Sequence, residues 1–231
     1  ERKRSMKLMI DEGQIQVIRR LYDVFPAEGV TTNPRILAKT GRPPYEVLKE
    51  IRAFIGKEAQ LHVQVTGESR EEMLEESRRI RRELGENTFI KVPVNREGLA
   101  AIRLMKQDKA LVTGTAVYTR MQAYLAAQAG ADYVAPYVNR IDNLGADGIQ
   151  TVKDIHALFR NNGLSTQVLA ASFKNSQQVQ ELCLCGIGAA TVSADVMERL
   201  LKNDAVDMAV SVFRKDFEGL CGQGKTMKDC G

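Results

Sequence analysis

The chain has 231 residues, and its 33 Lys and Arg against 29 Asp and Glu give a formal net charge of +4. This small excess forms no basic stripe, which argues against a nucleic-acid partner. No apolar run approaches the roughly 18 residues of a membrane span, and we find no signal-peptide core. We therefore expect a cytoplasmic protein without a membrane partner.

The cysteines and histidines are poorly spaced for binding a metal. None of the cysteines forms a CxxC pair, and His62 and His156 lie far apart. Structural zinc sites bring four such ligands together at short, characteristic spacings. We therefore expect reduced thiols, no metal and no cofactor.

Short apolar segments alternate with longer amphipathic ones along the chain. The predicted strands are KLMID, GVTT, LHVQV, FIKVPV, ALVTG, DYVAP, QVLAA and AATVS. The segments after GVTT and DYVAP are predicted to begin as loops. The predicted helices lie near 13–23, 45–56, 70–84, 97–107, 118–129, 148–161, 175–184, 195–202 and 204–218. Strands that are apolar on both faces are typical of a sheet covered by helices.

Eight such units in succession predict an α/β fold, a TIM (β/α)₈ barrel with an additional C-terminal helix. A doubly wound open sheet is the alternative. It normally carries a Gly-rich phosphate-binding turn after its first strand, and here that turn reads DEGQ. We expect one domain over 1–231, with residues 1–5 as a non-native or disordered extension and 220–231 as a flexible tail.

Polar side chains lie at the ends of seven predicted strands, where a barrel gathers its catalytic residues. Taken singly, each could cap or turn the chain into the next helix. Seven that converge on one barrel mouth favour a site instead. In chain order these residues are Asp11, Thr31, Thr32, Asn33, Gln64, Lys91, Thr113, Thr115, Tyr137, Arg140, Ser172 and Lys174.

Lys91 is the most informative of them, because it lies among Phe89, Ile90 and Val92. It could pair with an inward aspartate or extend to the surface. Alternatively, burial disfavours the charged amine and lowers its pKa. A neutral amine can attack a carbonyl and form a Schiff base, and the iminium would let a C–C bond break without a metal.

Proton transfer and phosphate binding need further groups. Asp11, Tyr137 or a water could move the protons, and Gln64 and Thr115 could hold that water. Arg140 and Lys174, with the Ser172 hydroxyl, could bind a phosphate, although Arg140 could instead pair with Asp142. We expect His62 to pack in the lower layers of the barrel.

The motifs GVTTNP, KVPV, EGLAAI, GTAVY, APYVNRID and VLAASFK follow one another through nearly the whole chain. In these motifs the chain resembles the small transaldolase-like class I aldolases. The resemblance implies a TIM barrel, Lys91 as the Schiff-base lysine and Asp11 as the acid that orients it. It also implies dihydroxyacetone contacts from Thr31 and Asn33, phosphate contacts from Arg140, Ser172 and Lys174, and a homo-oligomer, either a pentamer or a decamer.

Three stretches separate the aldolase branch of this family from the transaldolases. Where transaldolases typically read AEV, NVTLIF and PFLGR, this chain reads VQV, GTAVY and PYVNR. A water-holding glutamate is thus replaced by Gln64, and a phenylalanine by Tyr137; Gln64, Thr115 and Tyr137 would position the water and relay the proton. The resemblance implies reversible cleavage of fructose 6-phosphate into dihydroxyacetone and glyceraldehyde 3-phosphate, with transaldolase as the alternative.

Two positions depart from the pattern of the resembled family. The first strand ends in IDEG, and Thr113 stands where a leucine usually precedes the GT pair. If Thr113 faces the pocket, the preference for donor or acceptor could shift. A sugar-phosphate-binding protein without catalysis is a further possibility, which the presence of Lys91 disfavours.

Overall fold

The computed structural model describes residues 5–230. Eight parallel strands close into a barrel in chain order, each paired with the next and the last with the first. The predicted TIM barrel is therefore confirmed. The strands are β1 Lys7–Asp11, β2 Gly29–Thr31, β3 Gln60–Gln64, β4 Thr88–Pro93, β5 Leu111–Val117, β6 Tyr133–Pro136, β7 Gln167–Ala170 and β8 Ala189–Val192.

Helices follow the strands, and every helix predicted from the sequence is present within a few residues. They are α1 Ile15–Tyr22, α2 Pro34–Lys39, α3 Pro44–Ile55, α4 Arg70–Leu84, α5 Arg96–Gln107, α6 Arg120–Gln128, α7 Val138–Asn143, α8 Gly148–Asn161, α9 Ser176–Cys185, α10 Ala194–Arg199 and α11 Asp204–Cys221. A single 3₁₀ turn, Met227–Asp229, follows α11.

Two short helices, α2 and α7, lie where loops were predicted. Pro34 is the first residue of α2, and the Asn33 side chain accepts a hydrogen bond from the Ile36 amide at 3.0 Å. Asparagine at the N-cap followed by proline is a strong start signal. Both helices have only six residues and lie among residues typical of turns, which is why a loop was predicted here and the prediction was wrong.

The chain divides into two compact units, one that ends at Met197 and one that begins at Glu198. The first contains all eight strands. The second contains α11, and the large apolar side chains of Val206, Val210 and Phe213 are exposed. The expectation for residues 1–5 falls, apart from Ser5, outside the described residues. Among residues 5–230, no helix is both long and apolar enough to cross a bilayer.

Alternate residues of each strand face the lumen of the barrel, as in other closed sheets. Met9, Phe89, Tyr133, Leu169 and Ala189 form a buried cluster contributed by five strands. The fully buried His62 ring stacks on Phe89 with centroids 4.5 Å apart and planes 9° apart. The prediction that His62 packs inside the barrel is confirmed.

The strand register places the polar residues around Lys91. Gln64 of β3 and Thr113 of β5 are its partners on the two neighbouring strands. The register between β5 and β6 shifts between Gly114 and Val117, and Ala116 has φ 55°. Bulges of this kind redirect side chains beside active sites, and this one adjoins Thr115.

Gly98, in the first turn of α5, lets that helix approach the end of β4. A Cβ atom there would collide with the Pro93 carbonyl oxygen. We expect Gly98→Ala to lower the free energy of unfolding by about 1–3 kcal/mol, because backbone must move to relieve the overlap. Urea denaturation measures this change.

Gly219→Ala is the matched control, since nothing lies within 4 Å of the added methyl group in α11. It should leave stability equal or slightly higher, as Ala is the better helix former. Equal stability of the Gly98→Ala variant and the parent would contradict the packing described for α5.

Candidate active site

Lys91 carries the amine at the centre of the candidate site. The residue is 5% exposed, and its Nζ donates a hydrogen bond to the Thr32 carbonyl oxygen at 2.7 Å. Burial holds the pKa of Lys91 below its ordinary value, because the ammonium loses its hydration, while the charge of Asp11 acts in the opposite direction. The arrangement favours a neutral, nucleophilic amine.

Asp11 lies at the end of β1, in a group of hydroxyls. Its Oδ1 accepts a hydrogen bond from Thr31 Oγ1 at 2.7 Å, and Thr31 Oγ1 lies 2.6 Å from Thr191 Oγ1. Burial raises the pKa of the Asp11 carboxyl, and the charge of Lys91 and the Thr31 hydrogen bond partly offset this. A carboxyl with a raised pKa is suited to exchanging protons near neutral pH.

Thr191 was not among the residues predicted from the sequence. It lies in β8, and the threonine is 3% exposed. Because Thr31 donates to Asp11, the Thr191 hydroxyl is the donor in its contact with Thr31. One hydroxyl within the segment AATV was the signal available in the sequence.

Thr115 and Tyr137 form the second polar pair of the site. Their side-chain oxygens lie 2.9 Å apart. Burial raises the pKa of the Tyr137 phenol, against the Thr115 hydrogen bond and the Arg140 charge. The phenol therefore keeps its proton through the neutral range and can donate it. Arg140 Cζ lies 4.7 Å from the centre of the Tyr137 ring, a cation–π contact.

Gln64 flanks Lys91 but is not joined to the Thr115–Tyr137 pair. No other side chain within residues 5–230 hydrogen-bonds to its amide. With Leu37, Leu48 and Ile80 it lines a cavity of about 360 Å³. Its donor and acceptor atoms are thus available to a water or a substrate.

Ser172 lies at the end of β7 in a conformation uncommon for serine. It has φ 62°, and its carbonyl oxygen accepts a hydrogen bond from the Asn139 amide at 2.9 Å. Left-handed backbone at a non-glycine residue is often found at functional sites. Ala116 at β5 and Ser172 at β7 thus place strained backbone at two of the strand ends that were predicted to form the site.

Arg140 and Lys174 are both exposed, on the segments that follow β6 and β7. The alternative partner of Arg140, Asp142, is otherwise engaged, since it accepts hydrogen bonds from the Gly148 amide and the Gln178 side chain, both at 2.7 Å. The Lys174 amide donates to Gln178 Oε1 at 2.8 Å. Two cationic side chains therefore remain accessible on this side of the mouth.

Asn33 has a structural role at the other side of the mouth. Its Oδ1 is the N-cap acceptor of α2. This leaves the amide nitrogen as the group through which Asn33 could contact a substrate. Thr31 is fully buried and reaches a substrate only through its position beside Asp11.

The sequence model of the transaldolase/fructose-6-phosphate aldolase family matches residues 8–229. The barrel is also similar to solved structures. One is described as a cube-shaped, highly porous protein cage designed by fusing symmetric oligomeric domains, with a TM-score of 0.60, 15% identity, and coverage of 94% of this chain and 78% of that one. The other is described as a native KDPGal structure, with a TM-score of 0.57, 17% identity, and coverage of 83% and 87%.

At these identities the two structures support the fold, while the family match covers nearly the whole chain. The fold, together with the family match, identifies a barrel enzyme of the aldolase and transaldolase type. The chain belongs to the transaldolase/fructose-6-phosphate aldolase family.

Replacing Asp11 by asparagine tests the electrostatic interaction between Asp11 and Lys91. Asp11 raises the pKa of Lys91 against the larger effect of burial. We expect Asp11→Asn to lower the pH of half-maximal Lys91 acylation by about one pH unit, since an opposite charge is removed. Competitive labelling with acetic anhydride, read by mass spectrometry, measures this pH.

Glu12→Gln is the control for a lost carboxylate beside the same strand. It should leave the labelling midpoint of Lys91 in place, because the charge acting on Lys91 is that of Asp11. A labelling midpoint that rises in Asp11→Asn would show that the Asp11 charge does not raise the pKa of Lys91.

Proposed function

We propose that this protein is a metal-independent, Schiff-base aldolase that reversibly cleaves D-fructose 6-phosphate into dihydroxyacetone and D-glyceraldehyde 3-phosphate. The observation that carries the proposal is the buried amine of Lys91, held by one carbonyl oxygen and with its pKa lowered by burial. A lysine in this state is the nucleophile that carbonyl chemistry needs.

Imine formation begins with the attack of Lys91 Nζ on the C2 carbonyl of the open-chain sugar. The carbinolamine that results loses its hydroxyl as water and leaves a protonated imine. Asp11 supplies the proton for this loss and takes it back when the imine is hydrolysed, which its raised pKa favours. Thr31 keeps the carboxyl oriented during both steps.

Cleavage then breaks the bond between C3 and C4. A base removes the proton of the C4 hydroxyl, glyceraldehyde 3-phosphate leaves, and the electron pair of the bond moves into the imine to give an enamine. The enamine takes a proton at C3, and water releases dihydroxyacetone from Lys91. Thr115 and Tyr137 orient the water that carries these protons, with Gln64 as its further partner.

Arg140, Lys174 and Ser172 bind the phosphate in this proposal. The side chains of Arg140 and Lys174 are accessible. The Asp142 carboxylate accepts its hydrogen bonds from other groups, which leaves the Arg140 guanidinium available to a phosphate. Arg offers a planar pair of donors that matches phosphate oxygens. The dihydroxyacetone end would face Thr31 and the Asn33 amide nitrogen, on the opposite side of Lys91.

Transaldolase is the competing activity within the family. It requires the enamine to survive until a second aldehyde arrives, whereas the aldolase protonates it. Gln64 is neutral, and the Tyr137 phenol retains its proton because burial raises its pKa. Both features favour protonation and release, which supports the aldolase assignment.

We propose further that the active form is a homo-oligomer, in keeping with the resemblance, which implies a pentamer or decamer. Val206, Val210 and Phe213 of α11 recur at helical spacing and are exposed. Contiguous apolar stripes of this kind commonly mark protein interfaces. We assign the stripe to contact with a second copy of the chain.

Trapping the imine tests the aldolase proposal. Incubation with dihydroxyacetone and borohydride should attach a reduced three-carbon unit to Lys91, because hydride reduces an imine to a stable amine. Peptide mass spectrometry locates the adduct. Lys91→Met should give no adduct and no cleavage of fructose 6-phosphate.

Lys106→Met is the matched control for loss of a lysine. Lys106 pairs with Asp132 at 2.7 Å, away from the strand ends, so this variant should still be trapped at Lys91. Full cleavage activity in Lys91→Met would overturn the proposal.

The Gln64→Glu variant tests the choice between release and transfer. A carboxylate binds the water only as an acceptor, so the enamine is protonated more slowly and survives longer. We expect the ratio of transfer to erythrose 4-phosphate over release of free dihydroxyacetone to rise by roughly tenfold or more. Gln167→Glu is the control, because Gln167 is at an exposed position of β7, and it should leave the ratio unchanged. If Gln64→Glu also left the ratio unchanged, the proposed role of Gln64 in holding the water would be contradicted.

Sedimentation velocity tests the assembly. The parent should sediment as an oligomer, and Phe213→Asp should shift it toward the monomer, because a charge would be buried in the interface. Ser211→Asp, on an exposed neighbouring position, should keep the parent mass. A monomeric parent would refute the assignment of the α11 stripe.

A further inference from the structure

Beneath Lys91, a chain of polar side chains crosses the lumen of the barrel. Thr113 Oγ1 lies 2.9 Å from His62 Nδ1, and His62 Nε2 lies 3.2 Å from Gln60 Oε1. Gln60 Nε2 in turn donates to the Tyr133 hydroxyl at 3.4 Å. His62 and Thr113 are both fully buried.

The contacts fix the direction of every hydrogen bond in this chain. Gln60 donates to Tyr133 through its amide nitrogen, so its carbonyl oxygen faces His62 and must accept. His62 therefore carries its proton on Nε2, and its Nδ1 accepts from the Thr113 hydroxyl. An amide does not relay protons readily, so the chain holds orientations and does not conduct protons.

This chain lies directly below the reactive amine. Thr113 is the β5 partner of Lys91 in the sheet. Phe89, two residues before Lys91 on the same face of β4, is stacked on the His62 ring. His62 and Thr113 thus form a polar layer beneath Lys91, which we call the floor of the site.

Burial, with the positive charges around the floor, favours the neutral form of His62. Burial, followed by the positive charges of Lys91, Lys7 and Arg52, holds the pKa of His62 well below its ordinary value. Tyr133 meets the imidazole edge-on from β6. Across the lumen, Asp11 is the carboxylate that acts on Lys91.

We infer that His62 and Thr113 are positioning residues for Lys91: their mutual hydrogen bond occupies His62 Nδ1 and holds the Thr113 hydroxyl in an orientation in which it does not bind the amine. Within residues 5–230, the amine then has the Thr32 carbonyl oxygen as its hydrogen-bond partner and Asp11 as the opposite charge that acts on it. This role deepens the proposed function and rests on it, because it matters to catalysis only if Lys91 forms the imine.

The inference predicts an unusual pattern among variants. Thr113→Val leaves His62 Nδ1 without its donor, and His62→Phe leaves the Thr113 hydroxyl free to turn its lone pairs toward Lys91. Either freed atom would stabilise the ammonium. The double variant has an apolar floor with no freed polar atom, so this stabilisation of the ammonium should disappear.

The test is a double-mutant cycle read by acetic anhydride labelling of Lys91 against pH, with Lys106 as the internal reference. Each single variant should raise the labelling midpoint by about one pH unit, which leaves about tenfold less neutral amine below the midpoint. The double variant should return to the parent value. Single variants at the parent midpoint, or a double variant that shows the sum of both shifts, would overturn the inference.

Thr113→Ser and Thr113→Val form a second test that depends less on repacking the core. Serine keeps the hydroxyl and should keep the parent midpoint, whereas valine matches the shape of threonine without its donor. A purely structural role would lower the unfolding midpoint in both variants and leave the labelling midpoint unchanged.

Labelling does not require aldolase chemistry, so the two proposals fail separately. If dihydroxyacetone is not trapped but the double-mutant cycle behaves as described, the proposed function fails. The effect of the floor on the protonation of Lys91 is then still supported. If trapping succeeds and the cycle is additive, the inference about the floor fails alone.

Discussion

The site depends on the burial of one amine. Lys91 lies on a strand in which every residue but Pro93 is buried, and its Nζ has the Thr32 carbonyl oxygen as its hydrogen-bond partner. Moving an ammonium out of water without full compensation is costly, and the group responds by giving up its proton more readily. The loss of hydration therefore lets this lysine lose its proton at a lower pH than an exposed lysine would.

A parallel barrel can surround such an amine because each of its strands ends at the same mouth. Asp11 comes from β1, Thr31 from β2 and Thr115 from β5, so no single segment has to bend around the lysine. Backbone strain at Ala116 and Ser172 lies beside these ends. The rest of the barrel holds that strain, as strained residues at functional sites require.

Asp11 and Lys91 oppose each other within this arrangement. Burial raises the pKa of Asp11 and lowers the pKa of Lys91, while the attraction between their charged forms acts against both changes. The two pKa values are thereby drawn toward each other, which lowers the cost of passing a proton from one group to the other. An aldolase cycle needs this property, since the amine must be neutral to attack and the carboxyl must both give and receive a proton.

Much of this could be predicted from the sequence, because strand period and strand-end polarity are local properties. The eight strands, the barrel and the position of Lys91 in an apolar run follow from such patterns. The helices α2 and α7 could not be predicted in this way, because each has only six residues and lies among residues typical of turns.

Contacts between distant strands were also beyond the reach of local patterns. Thr113 was recognisable as an unusual residue, yet its partner His62 lies 51 residues earlier, and the Thr31 contact with Thr191 spans 160 residues. Pairing of β3 and β5 with β4 brings the first two side chains together, and closure of the barrel between β8 and β1 brings the second two together.

The central claim is that burial lowers the pKa of the Lys91 amine below that of an exposed lysine. Its direct test is an NMR titration of the ¹³Cε resonances of labelled lysine, with the Lys91 signal assigned from its absence in Lys91→Met. The account predicts that this resonance titrates below the ordinary lysine value of about 10.4. Titration at or above that value would contradict it.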